Sequence, residues 1–239
     1  MVCVLVSFKK EISGFLALME AERAPGRFPV FRGRYRGVDV RVARTGMGGR
    51  SLPGELLEGC DLAVSTGFCG ALRGGQDAGD LVVSREVTCV TARQLDRLLA
   101  GSTGPAQRFP VRRVEGSSQA ADLLSERLGD GTPVHLGRTV TAARVARSRE
   151  EKERLGSYFQ ALAVDMEDFF RLGAAAARGV PCLCVRAVLD RVADRIPDPR
   201  GGLREGLLLP ARLAALKRGM DRACAGIAAA AAVLADTYG

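Results

Sequence analysis

Apolar runs of strand length alternate with helical segments along most of this chain, and that alternation limits the fold more than any other feature. The runs are VCVLVSF (2–8), a pair within FPVFRGRYRGVDVRVART (28–45) joined by a tight RYRG turn, DLAVSTG (61–67), GDLVVSREVTCV (79–90), PVHLGRTVTAARV (133–145), the segment 161–165 and the strand 182–188. Between them the pattern predicts helices over 11–22, 52–59, 118–129, 149–159 and 166–178, then a long Ala-rich helix over 210–236. The polar stretch 91–118 and the Pro/Gly-rich stretch 191–207 read as loops. The expectation is an α/β fold: a mixed sheet with helices on both faces, antiparallel near 28–45 and 80–90. The 239 residues show no internal repeat and are read as one domain, 1–239.

Composition narrows the function classes. The formal charge is +8, but the arginines are spread along the chain and the sequence holds three Tyr and no Trp. Nucleic-acid binding calls for basic clusters interleaved with aromatics, so no nucleic-acid partner is expected. No apolar run has the length of a membrane span, and MVCVLVSFKKE reads as a first strand and not a secretory signal. The cytoplasm is the expected location. The seven cysteines are odd in number and lack paired metal-ligand spacing, so they read as reduced, buried thiols, with no metal expected.

Sites in such sheets lie at the carboxyl ends of strands. Gly46, Gly67, the segment Asp165 to Glu167, and Asp190 all fall at expected strand ends. The loop RTGMGG, with Gly46 and Gly48, follows a strand and precedes a short helix, a setting in which backbone amides cradle anions. It is not a dinucleotide fingerprint. STGFCGAL (65–72) places Cys69 at a sharp turn, but the segment after it does not read as the helix that a nucleophile elbow requires, and His135 is the only histidine. Glu11, Glu167 and Asp190 each follow an expected strand. Three carboxylates in one cleft suit a cationic transition state such as that of glycosidic cleavage, with one acid kept protonated by burial and by its neighbours. The competing reading is of separate helix caps and surface acids.

The segment VDMEDFFRLGAAAARGVPCLCVRAVLD resembles the signature of the nucleoside phosphorylase/nucleosidase superfamily, in which an acid-Met-Glu junction opens a helix, Gly-Val-Pro follows, and a strand ends in Arg-Ala-x-x-Asp. STGFCGAL with GDLVVS, RTGMGG and FKKEI extend the resemblance over residues 2–190. Among members, the residues resemble the methylthioadenosine/adenosylhomocysteine nucleosidases. They also resemble the hopanoid-associated phosphorylases, through RAVLDRVADRIP and LLPARLAALKRG. The resemblance implies a three-layer αβα sandwich, a homo-oligomer, a purine nucleoside substrate, and no metal or organic cofactor. It implies that Asp190 protonates or hydrogen-bonds the purine at N7, that Glu167 binds ribose hydroxyls, and that Met166 packs on the sugar. It further implies that Glu11 orients or deprotonates the attacking water, steadied by Arg186, and that Phe68, Cys69, Gly70 and Val145 line the base pocket.

The chain departs from the family pattern at several positions. Leu189 replaces a Ser found before the final Asp in many relatives, and Asp168-Phe169-Phe170 replaces small residues. Phe68 and Ser65 stand where trimeric- and hexameric-type phosphorylases use a Ser or Thr and an Arg, and Glu11 lies near the place of another phosphate-binding Arg. These positions favour water as the nucleophile. Arg44 and Arg50 in the glycine loop keep phosphorolysis open, and Leu189 with the two phenylalanines motivates a third reading, a non-catalytic nucleoside-binding protein.

Overall fold

The innermost strand is VCVLV, Val2–Val6 (β1), paired on both edges and buried at every residue, as expected of a strand whose two faces are covered. The structure, a computed structural model, describes residues 1–26, 28–48, 52–102, 108–196 and 209–238. The other strands are Glu22–Ala24 (β2), Val30–Tyr35 (β3), Val38–Arg44 (β4), Leu62–Ala71 (β5), Leu81–Val90 (β6), Val111–Arg113 (β7), Val134–Ala142 (β8), Ala161–Asp165 (β9) and Cys182–Asp190 (β10). The helices are Lys9–Leu16 (α1), Ala92–Leu99 (α2), Ser117–Leu128 (α3), Arg149–Phe159 (α4), Asp168–Ala176 (α5) and Leu209–Tyr238 (α6). The whole is a three-layer αβα sandwich around a mixed sheet. Helices α1 and α3 pack on α6, α2 packs on α4, and α5 lies against β5, β6, β7 and β10.

One wing of the sheet runs β5-β1-β4-β3-β2. Its β3–β4 hairpin turns on Arg36 and Gly37, both at positive φ (47° and 88°), the two-residue geometry that matches strand twist. On the other side the pairings close on themselves: β5 is parallel to β10, β10 antiparallel to β6, β6 parallel to β8, β8 parallel to β9, and β9 antiparallel to the far end of β5. A small apolar cluster of Cys69, Ala71, Val82, Ala163 and Val188 comes from four strands of this ring.

Several elements differ from the sequence expectation. β5 continues through Gly67 to Ala71, so Gly67 lies inside a strand and not at its end. Its φ of +141° lets the strand swing from β1 toward β9. Helix α1 stops at Leu16, and the chain then forms edge strand β2 against β3. The expected loop 91–118 holds α2 and β7. Gly49, Arg50 and most of the expected loop 191–207 lie outside the described residues.

Candidate active site

Three chain crossings deliver carboxylates to one place. Glu11 is the third residue of α1, and its Oε2 accepts hydrogen bonds from the amides of Ser7 (2.7 Å) and Phe8 (2.8 Å). It therefore caps α1. Its Oε1 faces β5, accepting from the amide of Phe68 at 3.4 Å. At the β9–α5 junction, Asp165 Oδ1 accepts from the amides of Glu167 (2.7 Å) and Asp168 (2.8 Å) and from Thr141 Oγ1 (3.0 Å). That knot sends Glu167 back toward the glycine loop, where its Oε1 accepts from the amide of Gly48 at 2.9 Å. Asp190 closes β10 beside Gly70 of β5, where a Cβ would lie 3.2 Å from Asp190 Oδ2. The absent side chain at Gly70 is what lets the carboxylate lie so close to β5.

These carboxylates share a cavity of about 650 Å³, counting its open mouth. Glu11, Asp165, Glu167 and Asp190 line it, together with Phe68, Cys69, Gly70, Val145, Ala146, Val164, Met166 and Leu189. Ser7, Phe8, Met47, Arg144 and Ile196 complete its wall. Glu11, Glu167, Asp190, Met166, Phe68, Cys69, Gly70 and Val145, all singled out from sequence, are thus brought together. Phe169 and Phe170 stay out of this cavity: Phe169 packs on the core beneath Arg112, whose guanidinium carbon is 4.6 Å from the ring centre, and Phe170 faces a separate cavity with Gly48 and Met166.

Arg186 is not a wall residue. It lies 1% exposed beneath the carboxylates, and its principal partner is Asp168, to which it donates from Nη2 at 2.5 Å and from Nε at 3.0 Å. A further contact at 3.3 Å reaches Glu167 Oε2. Backbone amides hold Glu11 directly and Asp168 takes the guanidinium fork, so Arg186 acts on Glu11 through its charge. Burial opposes the charge on Arg186, but Asp168, Asp165 and Glu167 outweigh it and hold the group well above its usual range. Of the glycine-loop residues, Arg44 is exposed at the end of β4, and Gly46 has nothing near where a Cβ would stand. Neither lines the cavity. The amide of Gly48 is already bonded to Glu167 and so is not free for an anion. Arg50 lies outside the described residues.

The protonation pattern follows from burial. Burial lifts Asp190 to about 6, against the pull of Lys152. Burial and the nearby Asp168 charge lift Asp165 to about 7, against Arg186. Burial also raises Glu11, in opposition to the Phe8 and Ser7 amides and to Arg186 and Arg171. The Cys69 thiol is pushed up by burial, which argues against a nucleophilic thiolate there. His135 bonds Asp80 (2.9 Å) and lies outside this cavity. Among the described residues no group of three His, Cys, Asp or Glu side chains is arranged to hold a metal, and no helix is long and apolar enough to cross a membrane.

Sequence reasoning missed two buried cations here. Arg171, 1% exposed, donates to Leu5 O, Ser65 Oγ and Thr66 O from Nη1, and to Ser7 Oγ and Thr45 Oγ1 from Nη2. It ties the ends of β1 and β4 to the middle of β5 under the site. Lys152, fully buried on α4, pairs with Asp190. Each sits on the buried stripe of its helix, Arg171 with Leu172 and Ala175 and Lys152 with Leu155 and Gly156, a position that only the placed helix reveals.

Residues 2–206 match the family model of the phosphorylase superfamily, and the chain belongs to that superfamily. Among solved structures, it is similar to a 5'-methylthioadenosine/S-adenosylhomocysteine nucleosidase from Neisseria meningitidis in complex with methylthio-immucillin-A (21% identity, 98% of this chain and 97% of that one, TM-score 0.75). It is also similar to a nucleosidase of the same kind from Colwellia psychrerythraea in complex with adenine (17% identity, 99% and 95% covered, TM-score 0.76). The futalosine hydrolase of Helicobacter pylori is another match (20% identity, 96% of each chain, TM-score 0.70). No curated protein matches the sequence.

Proposed function

We propose that this protein cleaves the N-glycosidic bond of a purine nucleoside, with water as the nucleophile. The observation that carries the reading is the meeting of Glu11, Glu167 and Asp190 in one cavity with apolar residues from β5 and the 144–146 segment. Cleavage builds positive charge on the sugar and negative charge on the departing base. Asp190, lifted to about 6, is a carboxyl able to give a proton to N7 near neutral pH. Glu167, held by Gly48, accepts from ribose hydroxyls, and Met166 packs on the sugar. Glu11, fixed by three amides, orients or deprotonates the attacking water. Phe68, Cys69, Gly70 and Val145 flank the base. Arg186 holds the acids in place from below.

The similarity in fold to proteins named as nucleosidases and as a futalosine hydrolase is in keeping with hydrolysis. The reading includes a single domain over 1–239, a homo-oligomeric state and a cytoplasmic location. Purified protein given adenosine or methylthioadenosine should release adenine and a free sugar with no phosphate present. A phosphorylated sugar formed only with phosphate would assign phosphorolysis, and Arg44 and Arg50 would be the residues to substitute next. Tight adenine binding with no turnover in either condition would assign a binding protein.

A further inference from the structure

Lys152 is the most unusually placed lysine in the chain. It lies in the second turn of α4, 0% exposed, and buried lysines are rare unless paired. Its amino group donates to Asp190 Oδ2, to the carbonyl of Arg191 at 2.7 Å and to the carbonyl of Asp194 at 2.8 Å. Three donors meet three acceptors, so the group is saturated and fixed in direction. The turn it grips is closed independently, by Asp194 Oδ2 accepting from the amide (2.9 Å) and Nε (3.1 Å) of Arg191. Among the described residues nothing donates to Asp190 Oδ1, although Asp190 lines the cavity. Leu189 has no polar atom in its side chain with which to hold the neighbouring carboxyl.

We propose that Lys152 is the positioning residue for Asp190, an ammonium clamp that locks Oδ2 and the 191–194 turn and leaves Oδ1 to face the leaving base. The proposal rests on the glycosidic-cleavage reading of the site. The charged or titratable groups around Asp190 are Lys152 from α4, Asp194 and Arg191 from the turn, Cys69 from β5, Arg144 after β8, and the carboxylates Asp165, Glu167 and Glu11 across the cavity. Of these, Lys152 touches Asp190 directly and opposes its protonation, whereas burial favours it. The clamp thus sets the acid's direction and its working pH together.

The test uses the full chain as wild type, Lys152→Met and Lys152→Gln. The Gln variant keeps N–H donors without the charge and serves if the Met variant does not fold. The Asp190 carboxyl is titrated by infrared difference spectroscopy against Asp190→Asn, and the pH profile of base release is recorded in parallel. Removing the charge should raise the Asp190 midpoint by about one pH unit or more and carry the falling limb of activity upward with it. The Met variant should also lose at least about tenfold in kcat with little change in KM. A carboxyl midpoint and pH limb left in place would overturn the clamp, even if kcat fell. If wild type releases no base while the carboxyl midpoint moves as expected, the cleavage reading fails and the Lys152 control of Asp190 stands. If wild type turns over and the midpoint does not move, the cleavage reading stands and the clamp fails.

Discussion

At Asp190 a carboxyl, a strand end and a buried lysine meet, and the opposite wall of the site depends on a missing side chain. Gly67 adopts a φ of +141°, and a Cβ there would lie 2.8 Å from both Arg186 Nη1 and Glu11 Oε1. Gly67→Ala should cost about 1–3 kcal/mol in urea unfolding from backbone strain. It should also lower base release by about a hundredfold, because displacing Glu11 spoils the geometry of attack. Near-normal activity would show that Glu11 is only a helix cap. The acids Glu11, Glu167 and Asp190 were legible in the sequence because each follows an apolar run, at or just beyond a strand end where sites in such sheets lie. Lys152 and Arg171 were not, because in REEKERLGSYF and DFFRLGAAA a charged residue on the buried face looks like its exposed neighbours until the helix is placed.

Among the elements, α4 connects stability to the site. It begins at Ser148, whose Oγ accepts from the amide of Glu151 (3.2 Å), while Glu151 Oε2 accepts from the amides of Arg147 (2.7 Å) and Ser148 (3.3 Å). Ser148→Ala should cost about 1 kcal/mol with an unchanged urea m-value. Because Lys152 is in the next turn, kcat should fall with it while KM holds; loss of stability with no change in kcat would separate the helix start from Asp190. The capping signal that marks α4 was also present for α2: Thr91 and Gln94 form a capping box, and Leu95 and Leu98 are buried. In sequence it is hidden by the polar composition of 91–118. Strands β2 and β7 have three residues each and exist only by pairing with β3 and β6, so local pattern could not show them. The same pairing ends the expected helix 11–22 early, at Leu16.

For the whole molecule, alternation of strands and helices was enough to predict the three layers, but not the ring that closes β5 onto β9. That closure depends on a bend inside β5 and on long-range register, neither of which periodicity encodes. The fold also stores protonation energy. Asp165 at about 7 and Asp190 at about 6 bind protons more tightly in the native state than in the unfolded chain. Their contribution to stability is therefore full below about pH 4 and is lost as pH rises through 6 to 7. Asp194 and Glu151, held below their usual range, act in the opposite sense at lower pH. Urea midpoints should show the wild-type advantage over Asp165→Asn shrinking from pH 4 to pH 7.5, by a few kcal/mol at most. An advantage that grows over that range would contradict the assigned protonation states. The most direct test of the central claim is release of free adenine from adenosine, methylthioadenosine and adenosylhomocysteine, by wild type and Asp190→Asn, without phosphate. The account predicts release by wild type and a loss of about 10²–10⁴-fold in the variant. Release that requires phosphate, or that survives Asp190→Asn undiminished, would contradict it.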